Sequence, residues 1–101
     1  MKELKGSQKK FLRGLAHNLN PAAFIGQKGI TEILLKEIDM ALKATELIKV
    51  KFNDYKEKDI KNSLTEEIAK ATGSHIAGMV GHVLILYRQN TDVEKQLIRL
   101  P

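Results

Sequence analysis

Two glycines bracket two polar residues, Gly26-Gln27-Lys28-Gly29, between a short uncharged run, Ala22 to Ile25, and an amphipathic stretch that opens at Thr31. That pattern can hold a phosphate. Glycine admits positive φ and lets a ligand reach the backbone with no Cβ in the way. The first amides of a following helix have no intrahelical acceptor and carry the positive end of its dipole. Lys28 adds a mobile cation at the tip of the loop.

The charge map supports the same chemistry. Residues 1 to 30 contain six bases, Lys2, Lys5, Lys9, Lys10, Arg13 and Lys28, and one acid, Glu3. The other 71 residues hold 11 of each sign, so the whole net charge of +5 belongs to the first helix and the glycine loop. A polyanion suits such a surface, because neutralising its phosphates releases condensed counterions. On charge alone a plain solvated helix face is an equal reading.

Other chemistries find less support. The spacing required for a Walker A loop is missing, and so is the G-x-G-x-x-G dinucleotide pattern. His17, His75 and His82 are scattered, with no second ligand at a fixed offset, so no metal site is expected. Glu57, Asp59, Glu66 and Glu67 read as solvated charge on a helix surface rather than as a carboxylate pair in a cleft. Ser63, Thr72 and Ser74 lack a neighbouring base or a nucleophile elbow. No enzyme and no cofactor are expected.

With 101 residues the chain is expected to be one domain over residues 1–101 with a two-layer core. It has no cysteine, which fits a reducing compartment. Apolar runs such as Val83 to Tyr87 are far short of the roughly 20 residues of a spanning helix. A secretory leader is not visible at the start. The expectation is a soluble, cytoplasmic protein.

The positioning elements follow from periodicity. Ser7 is expected to cap a first helix with Phe11, Leu12, Leu15, Ala16 and Leu19 as its buried stripe and Lys9, Lys10, Arg13 and His17 on the opposite side. Gly14 within it suggests close approach of another backbone. Ala22 to Ile25 reads as a buried strand. Thr31 caps a second helix that turns Ile30, Ile33, Leu34, Ile38, Ala41 and Leu42 inward. From Leu47 the period becomes two, with Ile48, Val50 and Phe52 on a dry face and Lys49 and Lys51 on a wet one. Asn53-Asp54 is expected to start a third helix, with Ile60, Leu64, Ile68 and Ala71 inward and Thr72-Gly73 as its end. His75 to Val80 and Val83 to Arg88 flank Gly81-His82, a dipeptide suited to a type II′ turn. Ile98 and Leu100 are candidates for a short edge strand. The fold class is α/β, of order αβαβαββ, with a mixed sheet. Phe11, Phe24, Phe52, Tyr55 and Tyr87 mostly fit the core pattern, so recognition would rely on phosphate contact more than on stacking.

The residues that carry these readings also resemble a known family. Lys9-Lys10-Phe11-Leu12-Arg13-Gly14-Leu15-Ala16-His17, Pro21, Gly26-Gln27-Lys28-Gly29 with Thr31, Glu46-Leu47-Ile48-Lys49-Val50, Gly81 and Leu86-Tyr87-Arg88 are similar to a free-standing CRM domain of the YhbY type. CRM stands for chloroplast RNA splicing and ribosome maturation. The resemblance implies a fold like the C-terminal domain of bacterial translation initiation factor three and binding to structured RNA. For single-domain bacterial members it implies association with precursors of the large ribosomal subunit. It assigns RNA contact to Gly26, Gln27, Lys28 and Gly29, with Lys9, Lys10, Arg13 and His17 as the adjoining basic face. Ile30 replaces the usual leucine conservatively, and no role carries over to residues 89–101. The competing reading is an adaptor that docks an acidic protein or a ribosomal protein through the same face.

Overall fold

The computed structural model describes residues 3–101, so Lys2, counted in the charge, lies outside it. Its elements are α1 (Gly6–Ala16), β1 (Pro21–Ile25), α2 (Glu32–Thr45), β2 (Leu47–Phe52), α3 (Lys58–Thr72), β3 (His75–Val80) and β4 (Val83–Tyr87), followed by a short 3-10 turn, Val93–Lys95. The expected order αβαβαββ is the observed one. Four strands form one mixed sheet in the order β1-β2-β4-β3. β1 pairs parallel to β2 through the α2 crossover, and β4 pairs antiparallel to both β2 and β3.

Alternation along the strands divides the core between the two faces of the sheet. Ile48, Val50, Phe52, Leu84 and Leu86 pack with Ala23 and Ile25 beneath Leu34, Ile38 and Leu42 of α2 and Ile68 of α3. Leu47, Ala77, Ile85 and Tyr87 turn the other way and pack with Leu4, Leu12 and Ala16. The first helix thus adds a partial third layer to the two that were expected.

Several local expectations give way to the packing. Lys5, not Ser7, is the N-cap of α1; its amide donates to the Gln8 side chain at 2.9 Å. Only Leu12 and Ala16 of the anticipated stripe are buried, and Phe11, Leu15 and Leu19 remain about two-fifths exposed. Gly14 has open space around it rather than a close neighbour. In α2 the Thr31 cap holds, its Oγ1 accepting from the Leu34 amide at 3.1 Å, but Ile33 faces solvent. α3 starts at Lys58 rather than near Asn53, because the Asn53 and Asp54 amides donate back to the Ile25 carbonyl and hold that segment in a turn. Its inward face is Lys61, Thr65, Ile68, Ala69 and Thr72, so Ile60 and Ala71 are outside. Gly73 ends it at φ 62°. Gly81 has φ 61° and His82 does not share the positive sign, the pattern of the expected type II′ turn.

The tail forms no edge strand. Ile98 and Leu100 lie against the α1 cluster, and the chain is tied down by Glu46. This residue is fully buried at φ 65°. Its carboxylate accepts from the amides of Asn90 (2.6 Å), Leu97 (2.7 Å) and Ile98 (2.9 Å), so a buried charge is satisfied by backbone donors. Arg88 closes the same end. Its guanidinium donates to Asp39 Oδ1 and to the Thr72 carbonyl, both at 2.7 Å, and holds the Asp39 carboxyl below its usual pKa. Two of the motif positions, Glu46 and Arg88, therefore serve the fold.

Candidate nucleic-acid interface

The Gly26–Gly29 segment lies where β1 ends, beside the end of β2, since Ile25 pairs with Phe52. It is a tight turn in which the Gly29 amide donates to the Gly26 carbonyl at 3.0 Å. Gly29 has φ 64°, a conformation that costs other residues roughly 1–2 kcal/mol, whereas Gly26 needs no such freedom. Gln27 and Lys28 at the tip are exposed. Among the described residues, the Gln27 and Lys28 amides have no intramolecular acceptor. Adjacent free amides of this kind can cradle an anion. The helix start offers less than the sequence suggested, because Thr31 accepts from Leu34 and Leu35 and Glu32 places a negative charge in the first turn.

A residue without any local signal supports the turn. Tyr55 takes a positive φ of 56°, donates its hydroxyl to the Gln27 carbonyl and sets its ring 3.7 Å from where a Cβ on Gly29 would lie. A non-glycine residue in the left-handed region is uncommon and is kept only where surroundings fix it. Only the fold, by bringing the segment after β2 against the end of β1, creates this contact.

The basic helix residues divide. Arg13 donates to the Ala77 carbonyl at 3.0 Å, at a bulge between Ile76 and Gly78. A Cβ on Gly78 would come within 2.6 Å of Arg13 Cδ, so the glycine makes room for this arginine. His17 lies by β2, where Lys49 Nζ donates to its carbonyl at 3.0 Å and places a cation at the helix end. Lys10 is exposed, while Lys9 lines a recess with Glu66, Glu67 and Lys70 of α3. Arg13 and His17 therefore share the sheet face, and Lys9 belongs to its β3 edge. Lys49 and Lys51 join them, whereas the His82 ring at the hairpin turn lies toward Lys61 of α3. Neither α1 nor any of the four strands contains an acidic residue, and none occurs between Glu3 and Glu32.

His82 accompanies the turn end of the sheet, where its carbonyl accepts from the Phe52 amide at 2.8 Å. Partial desolvation, with the charges of Lys61, Lys56 and Lys51, lowers its pKa. Lys61 Nζ lies 2.9 Å from the Gly81 carbonyl and 3.1 Å from His82 Nδ1. No cluster of three or more metal-type ligands occurs among the described residues, and no described helix is long and apolar enough to cross a membrane.

This geometry, an α/β domain with an exposed glycine turn beside an acid-free sheet face, agrees with the family relationship. The CRS1 / YhbY (CRM) domain family matches residues 4–88, and the chain belongs to it. It is 40% identical over 99 residues to an RNA-binding protein of Haemophilus influenzae, covering 98% of this chain and 99% of that one. It is 38% identical to the "Probable RNA-binding protein YqeI" of Bacillus subtilis, with 97% and 99% covered. A solution structure of a hypothetical Staphylococcus aureus protein, described as a candidate RNA-binding protein, superposes with a TM-score of 0.81 at 38% identity. That match covers 97% of this chain and 99% of the other.

Proposed function

We propose that this chain is a non-enzymatic RNA-binding protein whose Gly26–Gly29 turn and basic α1 face grip the phosphate backbone. The reading rests on two features, one at the end of β1 and the other on α1 and the strands it covers. Free amides and Lys28 sit at an exposed turn, and α1 and the strands carry cations and no acid of their own, Glu3, Glu66 and Glu67 meeting Lys9 in its recess. Phosphate is the group that satisfies both. The names of the relatives point the same way.

Ribosomal RNA in precursors of the large subunit is the target that the family resemblance favours, with the protein assisting assembly. Crosslinking to RNA in cells, mapped to nucleotides, tests this. Crosslinks within large-subunit precursors are the expected result, and crosslinks spread over unrelated transcripts would contradict it. Nuclease treatment of a lysate should release the protein from its large complex. Retention after complete digestion would instead favour the adaptor reading, in which a protein partner occupies the same face.

A further inference from the structure

One cross-strand row on the α1 side of the sheet has no cover. Register aligns Phe24 with Lys51, Lys51 with Val83 and Val83 with Val80, so these side chains stand in line across all four strands. Phe24 is 52% and Val80 61% exposed. The neighbouring row, Pro21, Lys49, Ile85 and Gly78, lies beneath α1, where Arg13 abuts Gly78 and Lys49 reaches the His17 carbonyl. The open row is thus bounded by the cationic side of α1 and by the glycine turn, which begins two residues after Phe24.

An aromatic ring left half in water beside a lysine is suited to a particular ligand. A nucleobase presents a flat π-face that stacks on such a ring, and its flanking phosphates are drawn to the ammonium groups. An acidic protein surface would use the lysine and leave the flat face unexplained. Duplex RNA keeps its bases stacked inside and offers none to Phe24.

We infer that the Phe24–Lys51–Val83–Val80 row is a stacking platform for an unpaired nucleotide, with the ring of Phe24 against the base and Lys51 at the adjoining phosphate. The inference rests on the RNA-binding reading and narrows its ligand to RNA with unpaired bases within reach of the Gly26–Gly29 turn.

The chain contains no tryptophan, so Phe24→Trp introduces a single indole reporter into it. The probes are an oligouridylate and an RNA duplex of similar length at low salt, with binding followed independently by anisotropy. Oligouridylate should quench the indole and the duplex should not. Phe24→Ala should weaken oligouridylate binding roughly tenfold, change duplex binding less than about twofold, and melt within a few degrees of the parent. An unquenched indole on a bound oligonucleotide, or a Phe24→Ala protein that binds it as the parent does, overturns the platform. So would a nuclease-resistant protein complex lost on Phe24→Ala with RNA affinity intact. Lys28→Ala separates the two levels of the claim. Weakened binding of both probes sustains the RNA-binding reading whatever Phe24 does, and unchanged binding of both removes the turn from that reading.

Discussion

Behind the sheet, Ile48, Val50 and Phe52 of β2 are closed over by Leu34, Ile38 and Leu42 of α2 and Ile68 of α3. In front, the intervening residues of the same strand are Lys49, reaching the end of α1, and Lys51, in the open. The two covers differ as much as the two faces. α2 and α3 each carry three acids among their bases, while α1 carries Lys9, Lys10 and Arg13 and no acid. One face is dry and electrically mixed on its outside. The other is only partly covered, and what it leaves in water is a lysine with an aromatic and an aliphatic side chain in line with it. The difference shows how a single sheet can hold a core and a recognition surface with a period of two residues, provided that one cover is too narrow to span it.

The contrast should be largest in stability. Phe52→Ala, which empties a fully buried site behind the sheet, should cost about 3–5 kcal/mol in urea unfolding. Phe24→Ala, on the front, should cost less than about 0.5 kcal/mol. Similar losses at the two positions would erase the distinction between core and platform.

This division was only partly legible in the chain. The Thr31 cap, the Gly73 stop, the Gly81-His82 turn and the alternation from Leu47 are local signals, and each survives folding. The stripe of α1 was not legible. Periodicity reports which residues share a side of a helix, but not how much of that side a neighbour covers, and here Leu12 and Ala16 suffice. Phe24 looked buried because β1 is short and uncharged; as the end strand of the sheet it buries only Ala23 and Ile25. Tyr55 had no signal at all, because its partner Gln27 is 28 residues away. Glu46 and Arg88 could be recognised as motif residues, yet their bonds to the tail, Asp39 and Thr72 exist only once the sheet is assembled.

Charge should sharpen the contrast next. Lys51→Glu should weaken RNA binding about tenfold or more at low salt, and Glu37→Lys on the exposed side of α2 should alter it by less than about twofold. Lys28→Ala should make the slope of log K against log salt shallower by about 0.7–0.9, the contribution of one phosphate. Equal effects from Lys51 and Glu37 would mean that net charge, rather than a face, governs binding.

The two glycines of the turn form a smaller test. Gly29→Ala places a side chain at φ 64° beside Tyr55 and should cost about 1 kcal/mol with some loss of RNA affinity. Gly26→Ala meets open space and should be close to neutral in thermal unfolding. A reversed order would show that the turn is not held as described.

The smallest effect expected is one of pH. Desolvation and then Lys61, Lys56 and Lys51 depress the His82 pKa in the free protein, and a phosphate bound nearby would raise it. A group whose pKa rises on binding takes up protons, so affinity should increase as pH falls from above the bound value toward the free one. His82→Asn should flatten that part of the profile. An unchanged profile in the variant would place the phosphate away from the hairpin turn.

Titration of the isotope-labelled protein with an oligouridylate, read by amide and side-chain NMR shifts, decides whether RNA lies across the glycine turn and the front of the sheet. Perturbations should gather at Phe24, Gly26 to Gly29, Lys49, Lys51, His82 and Val83 and spare Lys36, Glu37, Glu66 and Glu67. Shifts confined to the outer surfaces of α2 and α3, with the turn and the open row silent, would contradict it.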